Sequence, residues 1–154
     1  MQLKDYIPNV DKKNSKAFFS GISFSSFKVK KNNIFFAIKG TKVDGNNFIK
    51  KAIAKGAKII VSEKKIIKKN KNIIYLYSSN VRKLLSEVSY KILNDKPQKL
   101  IAVTGTNGKS SIADFYYQIL NLNNKKVASI GTLGVKSKKL KMNLSNTTID
   151  PIKL

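Results

Sequence analysis

The chain has no cysteine and no histidine among its 154 residues. Disulfides, thiolate zinc sites and cysteine nucleophiles are thereby excluded, and so are imidazole acid–base catalysis and imidazole metal ligation. Arginine is reduced to Arg82 alone, although the formal net charge is +23. Base reading and bidentate phosphate contacts favour the planar guanidinium, which is nearly missing. The lysines are spread along the whole chain beside abundant asparagine and isoleucine, and no basic patch interleaved with aromatics stands out. No specific nucleic-acid partner is therefore expected, although a basic surface attracts anionic substrates. Long apolar runs are missing too. Met1 to Asn14 mixes Lys4, Asp5, Asp11 and Lys12, which is unlike a signal peptide, and no segment reaches the length of a membrane span. A cytoplasmic monomer without a membrane partner is the expectation.

What is present suffices for a globular core: 42% of the residues are hydrophobic. The most informative stretch is Lys99 to Ser111, in which the apolar run Leu100–Val103 meets a glycine loop ending in Gly108-Lys109-Ser110. Ile112, Phe115, Tyr116, Ile119 and Leu120 then repeat at helical spacing. Strand, glycine turn and helix in that order make a phosphate cradle, because the unpartnered N–H groups and the dipole of a helix start favour an anion. Lys109 would reach the terminal phosphates and the Ser110 hydroxyl would bind Mg²⁺. An ordinary P-loop places a glycine five residues before the Gly-Lys pair; Val103 stands there, and the first glycine is Gly105. A plain strand-to-helix turn with an exposed lysine is the alternative.

Upstream, residues 1 to about 30 are weakly patterned, with Phe18, Phe19, Ile22, Phe24 and Phe27 as apolar anchors of short strands or loops. Ile34–Ile38 reads as a buried strand, and Asp44-Gly45 as a turn. Phe48, Ile49, Ala52 and Ile53 share one face of a helix stopped by Gly56. Ala57–Val61 and Ile73–Tyr77 are the next strands. Ser79 or Asn80 caps a helix striped by Val81, Leu84, Leu85, Val88 and Ile92. Strands alternating with helices predict an α/β fold. The polar, Pro97-containing segment 94–98 separates a small N-terminal domain, 1–95, from a second, 96–154. Downstream, Val127–Ile130 completes a βαβ unit with the loop strand and helix, and Gly131-Thr132-Leu133-Gly134 follows at the ligand-bearing strand end. A single βαβ unit cannot close a core, so a longer protein is expected, with this chain its N-terminal piece.

Thr104-Gly105-Thr106-Asn107-Gly108-Lys109-Ser110-Ser111 closely resembles the short ATP loop of the Mur ligases, TGTNGKT(T/S), whose own spacing is the short one. Asn33–Gly40, Asp44–Ile49, Ala52 and Gly56-Ala57 are similar to that family's uridine-binding domain, GDLFVAxxG, DGHxF and AxxxGA. Gly131–Gly134 and Asn146-Thr147-Thr148 look most like the branch that adds the third residue of the stem peptide, commonly 2,6-diaminopimelate. The resemblance runs from about Ser23 to Pro151 and implies a small α/β uridine-nucleotide-binding domain followed by the first βαβ unit of a P-loop ATP domain.

It also implies roles. Gly105 to Ser111 would hold ATP, with Lys109 catalytic and Ser110 on Mg²⁺. Ser26, Thr41, Lys42, Val43 and Asp44 would hold the uridine diphosphate end of UDP-N-acetylmuramoyl-dipeptide. Asn146, Thr147 and Thr148 would hold its muramoyl-dipeptide end. The implied reaction is amide ligation through an acyl phosphate, in peptidoglycan precursor synthesis, with the amino-acid acceptor bound by parts outside this chain; the chain by itself is not expected to ligate. The sequence departs from the family where Asp-Ser-Arg becomes Ser25-Ser26-Phe27, where Gly-Asp becomes Asn32-Asn33, and where Pro151 is displaced after Thr147-Thr148-Ile149-Asp150. Ser26 equally suits a turn cap, and Thr147 and Thr148 equally suit an exposed strand. Another Mur-type ligase, a P-loop small-molecule kinase and a basic nucleic-acid-binding module are the rival readings.

Overall fold

A computed structural model describes residues 1–41, 43–65, 70–144 and 152. They fall into two compact units, Met1–Asn94 and Asp95–Leu154. The first unit is built on four parallel strands in the order β1 (Gly21–Ser23), β2 (Asn33–Ala37), β3 (Ile59–Ser62) and β4 (Ile74–Tyr77). Every residue of β2 and β3 is buried. Their apolar runs are continuous because both faces of the sheet are covered, and the strand period of two deals alternate side chains to opposite faces. Ile34, Phe36, Ile59 and Val61 point into one cluster, with Leu3 of α1 (Leu3–Tyr6) and Val81, Leu84, Leu85 and Val88 of α3 (Val81–Ile92). Phe35, Ala37 and Ile60 point into the other, with Val29, Ala52 and Ala57. Ala52 belongs to α2 (Ile49–Ala54), which follows a 3₁₀ turn, Gly45–Phe48. Asn80 caps α3 by accepting the Lys83 N–H at 2.8 Å.

Gly45 is required by close approach rather than by its dihedral angles. A Cβ there would stand 2.6 Å from the Ile38 carbonyl oxygen and 2.7 Å from the Ile38 nitrogen. The chain leaving β2 thus folds back on the strand's own end, and the Gly45 N–H donates to the Ile38 carbonyl at 2.9 Å.

The second unit contains α4 (Lys109–Leu122) and a three-stranded antiparallel sheet of β5 (Ala128–Gly131), β6 (Gly134–Ser137) and β7 (Lys141–Met142). Gly131 pairs with Gly134, so Thr132 and Leu133 form a two-residue connection. The α/β class holds, but the expected buried strand at Leu100–Val103 does not form. That segment joins no sheet, and Leu100 and Ile101 are 87% and 58% exposed. A strand exists through its ladder, and β5, the expected parallel partner, pairs antiparallel with β6 instead.

Candidate functional site

The loop entering α4 is shaped by two glycines in left-handed backbone. Gly105 has φ 146° and Gly108, the residue preceding the helix, has φ 74°. Space does not demand either glycine: a Cβ at Gly108 would meet nothing within 4 Å, and one at Gly105 only the Asn107 carbonyl oxygen at 3.7 Å. The backbone conformation demands them, and the hollow left beside them is open. No side chain caps the start of α4. The first helical N–H groups, at Lys109, Ser110 and Ser111, have no carbonyl of their own helix to bond, so they suit an anion. Thr106 and Asn107 complete the exposed rim of the loop.

Lys109 arches back over the loop, and its Nζ donates to the carbonyl oxygens of Gly105 and Thr106, the latter at 2.9 Å. The ammonium therefore already sits over the loop, held by contacts that a phosphate oxygen can replace. Ser110 Oγ lies 2.7 Å from Thr132 Oγ1. Asp114, one turn along α4, accepts from Lys136 Nζ at 2.6 Å and from Gln118 Nε2 at 2.8 Å. The hydrogen bond from Lys136, then that from Gln118, hold its carboxyl below the usual carboxylate range. Its charge is thus committed to the hairpin. No cluster of three His, Cys, Asp or Glu occurs among the described residues. Phosphate-bound Mg²⁺ keeps several waters and is usually held through one or two carboxylates besides the phosphates. Of such hard oxygens the loop offers one, the Ser110 hydroxyl, while the Asp114 carboxylate one turn along is taken by Lys136 and Gln118.

In the first unit the turn after β2 collects Thr41, Val43 and Asp44. The Gly40 N–H donates to the Val43 carbonyl at 2.9 Å, and both Thr41 and Val43 are exposed. Lys42 lies outside the described residues, as do Asn146, Thr147 and Thr148. Asp44 caps the 3₁₀ turn: it accepts from the Asn46 N–H at 2.9 Å and the Asn46 side-chain amide at 2.7 Å, and from Lys64 Nζ at 2.8 Å. The Lys64 contact first, then the Asn46 bonds, hold its carboxyl far below the usual range. Ser62, fully buried at the end of β3, donates to Asn46 Oδ1 at 2.6 Å and accepts the Lys64 N–H at 2.9 Å. Asp44 is therefore the centre of a network that fixes the turn, and Thr41 and Val43 are the side chains it leaves open.

Ser26 is buried, follows β1, and makes no side-chain hydrogen bond among the described residues; Ser23, Ser25 and the backbone satisfy one another beside it. β1 and β2 are adjacent and parallel, so Ser26 and the Thr41–Asp44 turn both follow strand C-terminal ends, the ligand-bearing edge of such sheets. Sequence reasoning assigned no role to Asn46, Ser62, Lys64 or Thr132. The contacts that involve them, Ser62 with Asn46, Lys64 with Asp44 and Thr132 with Ser110, join residues 16, 20 and 22 positions apart.

The chain thus carries a small α/β unit with a parallel sheet and, after it, a short glycine loop on a helix start suited to an anion. Residues 19–97 match the Mur ligase family, catalytic domain, and residues 103–154 match the Mur ligase middle domain. The chain belongs to the Mur ligase family. It is 46% identical over 118 residues to the UDP-N-acetylmuramoyl-L-alanyl-D-glutamate--2,6-diaminopimelate ligase of Rickettsia conorii, covering 75% of this chain and 24% of that protein. The ligase of the same name from Zymomonas mobilis is 39% identical over 132 residues, covering 86% of this chain and 27% of its own length. The chain thus spans about a quarter of the length of these curated relatives. A solved structure bearing that ligase name superposes with a TM-score of 0.78 at 26% identity, over 99% of this chain and 31% of the other. The MurF ligase of Thermotoga maritima in complex with ADP gives a TM-score of 0.53 at 26% identity, over 68% of this chain and 23% of that one. Among the described residues no helix is long and apolar enough to cross a membrane.

Proposed function

We propose that this chain supplies the uridine-nucleotide-holding and phosphate-holding parts of a ligase of peptidoglycan precursor synthesis. The ligase joins 2,6-diaminopimelate to UDP-N-acetylmuramoyl-L-alanyl-D-glutamate at the expense of ATP. The observation that carries the reading is the open glycine loop at the start of α4, with Lys109 folded over it and Ser110 beside it. In the proposed reaction the substrate carboxylate attacks the γ-phosphorus of ATP, forming an acyl phosphate and releasing ADP. The amine of the incoming amino acid then attacks the acyl carbon, expels inorganic phosphate and loses a proton to form the amide.

Such a transfer is governed by positioning and by neutralising charge that spreads over the moving phosphoryl group. The N–H groups from Gly105 to Ser111 bind the phosphate oxygens. Lys109 exchanges its bonds to the Gly105 and Thr106 carbonyls for bonds to those oxygens, so its charge follows the developing negative charge. Ser110 would hold Mg²⁺ through its hydroxyl, and that ion would supply screening of the phosphate charge from the attacking carboxylate. Thr41 and Val43 face the uridine end, and Ser26 contributes its hydroxyl there. Thr147, Thr148 and Asn146 hold the muramoyl-dipeptide. The surplus of lysine raises the local concentration of both polyanionic substrates.

Calorimetry with the two nucleotides tests the reading. The chain is expected to bind the uridine substrate and ATP independently, and Lys109→Ala is expected to weaken ATP while leaving the uridine substrate unaffected. Incubated with ATP, Mg²⁺, the muramoyl-dipeptide nucleotide and diaminopimelate, this chain alone is expected to yield no tripeptide product. Failure to bind either nucleotide, combined with a steeply salt-dependent affinity for DNA, would instead support the nucleic-acid reading.

A further inference from the structure

Thr132 carries no assigned role, yet it is the hydrogen-bond partner of the hydroxyl to which the proposed reading gives the metal. Ser110 stands in the first turn of α4, Thr132 in the connection between β5 and β6, and their oxygens are 2.7 Å apart. Residues 110 and 114 lie four apart and share a helix face. The second rung of that face is Asp114 to Lys136, at 2.6 Å. Two side-chain contacts one helical turn apart therefore fix the start of α4 against the hairpin. A depression beside them is lined by Ser110, Ala113, Ser129, Thr132 and Lys136 among others, the lysine being the one paired with Asp114.

The two rungs differ in chemistry. Asp114 is occupied by Lys136 and Gln118, so its carboxylate is not available to Ser110. Thr132 Oγ1 is the one hydrogen-bond partner of the Ser110 side chain among the described residues. A hydroxyl that offers a lone pair to a cation turns its proton away from the charge, and that proton then needs an acceptor. An uncharged hydroxyl at hydrogen-bond distance can take it without competing for the cation as a carboxylate would. We infer that Thr132 is a positioning residue, accepting the Ser110 proton and so reserving the Ser110 lone pairs for a divalent cation. The inference rests on the ATP reading of the loop and extends it to a residue outside the loop motif.

The experiment is calorimetry of ATP binding to the full chain, once with Mg²⁺ and once with chelator, for the unaltered protein and for Thr132→Val, Thr132→Ala and Thr132→Ser. Both the Val and Ala variants are expected to lose about tenfold in affinity for Mg²⁺-ATP, the size of one lost hydrogen bond, with metal-free ATP changed by less than about twofold. Thr132→Ser, which keeps the hydroxyl, is expected to restore the Mg²⁺ preference. If Val and Ala weaken both forms equally, Thr132 only packs the hairpin and the inference fails. It fails as well if they leave the Mg²⁺ preference intact, or if serine does not rescue it. An unaltered chain that binds neither form overturns the ATP reading itself, and the inference with it. An unaltered chain that binds Mg²⁺-ATP normally while Thr132→Val behaves identically overturns the inference alone.

Discussion

Helices α3 and α4 carry similar apolar stripes and end in opposite circumstances. On α3, Val81, Leu84, Leu85 and Val88 are buried against β2 and β3. On α4, Ile112, Phe115, Tyr116 and Ile119 are 47 to 62% exposed, and no residue of the helix is buried. The strands differ in the same way: β2 is buried at all five positions, whereas β5 alternates between exposed and half-buried. An amphipathic pattern specifies a helix, but the surface opposite decides whether its stripe is worth anything in stability. The first unit is held by its two-sided core. The loop-bearing unit is held by backbone geometry and by polar ties from α4 to the hairpin, which is where its proposed chemistry lies.

The comparison is broken most directly by one substitution in each unit. Phe36 is fully buried in the sheet core, and Phe36→Ala is expected to cost about 3–5 kcal/mol through lost burial and a cavity. Phe115 is 62% exposed, and Phe115→Ala is expected to stay within about 0.5 kcal/mol. Native-state hydrogen exchange reads the two units separately. A Phe115→Ala cost equal to that of Phe36→Ala would show that α4 is packed in solution.

Glycine provides the next contrast. Gly45→Ala drives a methyl into the Ile38 backbone and is expected to cost about 1–3 kcal/mol in the first unit, measured by urea unfolding. Gly108→Ala meets open space, so only the left-handed backbone penalty of about 1–2 kcal/mol applies. Its larger consequence is expected in ATP affinity, because the new methyl occupies the hollow proposed for phosphate. Retention of full ATP affinity would move the phosphate site away from Gly108.

The sequence disclosed what is local and withheld what is assembled. β2 and β3 were legible because an apolar run covered on both faces needs no other information, and the Asn80 cap because it acts over three residues. The glycine-bearing entry to α4 was legible for the same reason: Gly105 and Gly108, both in left-handed backbone, lie within a few residues of the helix start. Leu100–Val103 misled because composition reports the tendency to bury, while a strand needs a neighbour to bond, and β5 turns to β6. Thr132 and the Ser62–Asn46 contact were invisible because they depend on how a hairpin meets a helix and how β3 ends beside a turn. Asp44 was legible as a turn residue, but its engagement by Lys64, twenty positions away, was not.

The smallest expected effects concern one carboxylate in each unit. Asp44 and Asp114 are both held below the usual range by a lysine, Lys64 and Lys136 respectively. A carboxyl whose folded pKa is depressed stabilises the fold above its unfolded pKa, near 3.8, and that contribution is lost as pH falls toward the folded value. Asp44→Asn is therefore expected to flatten the acid limb of stability in the first unit, and Asp114→Asn that in the second, as read by thermal melts stepped downward from about pH 5. Salt separates the pairs. The Lys64 side chain is 62% exposed and that of Lys136 is 26% exposed, while both aspartates stand at 22%. Added salt screens the more exposed pair more strongly, so the acid limb due to Asp44 is expected to fade first. If salt instead removes the Asp114 contribution as readily, the helix–hairpin tie is open to solvent, and the polar attachment of the loop to its hairpin is weaker than its 2.6 Å contact suggests.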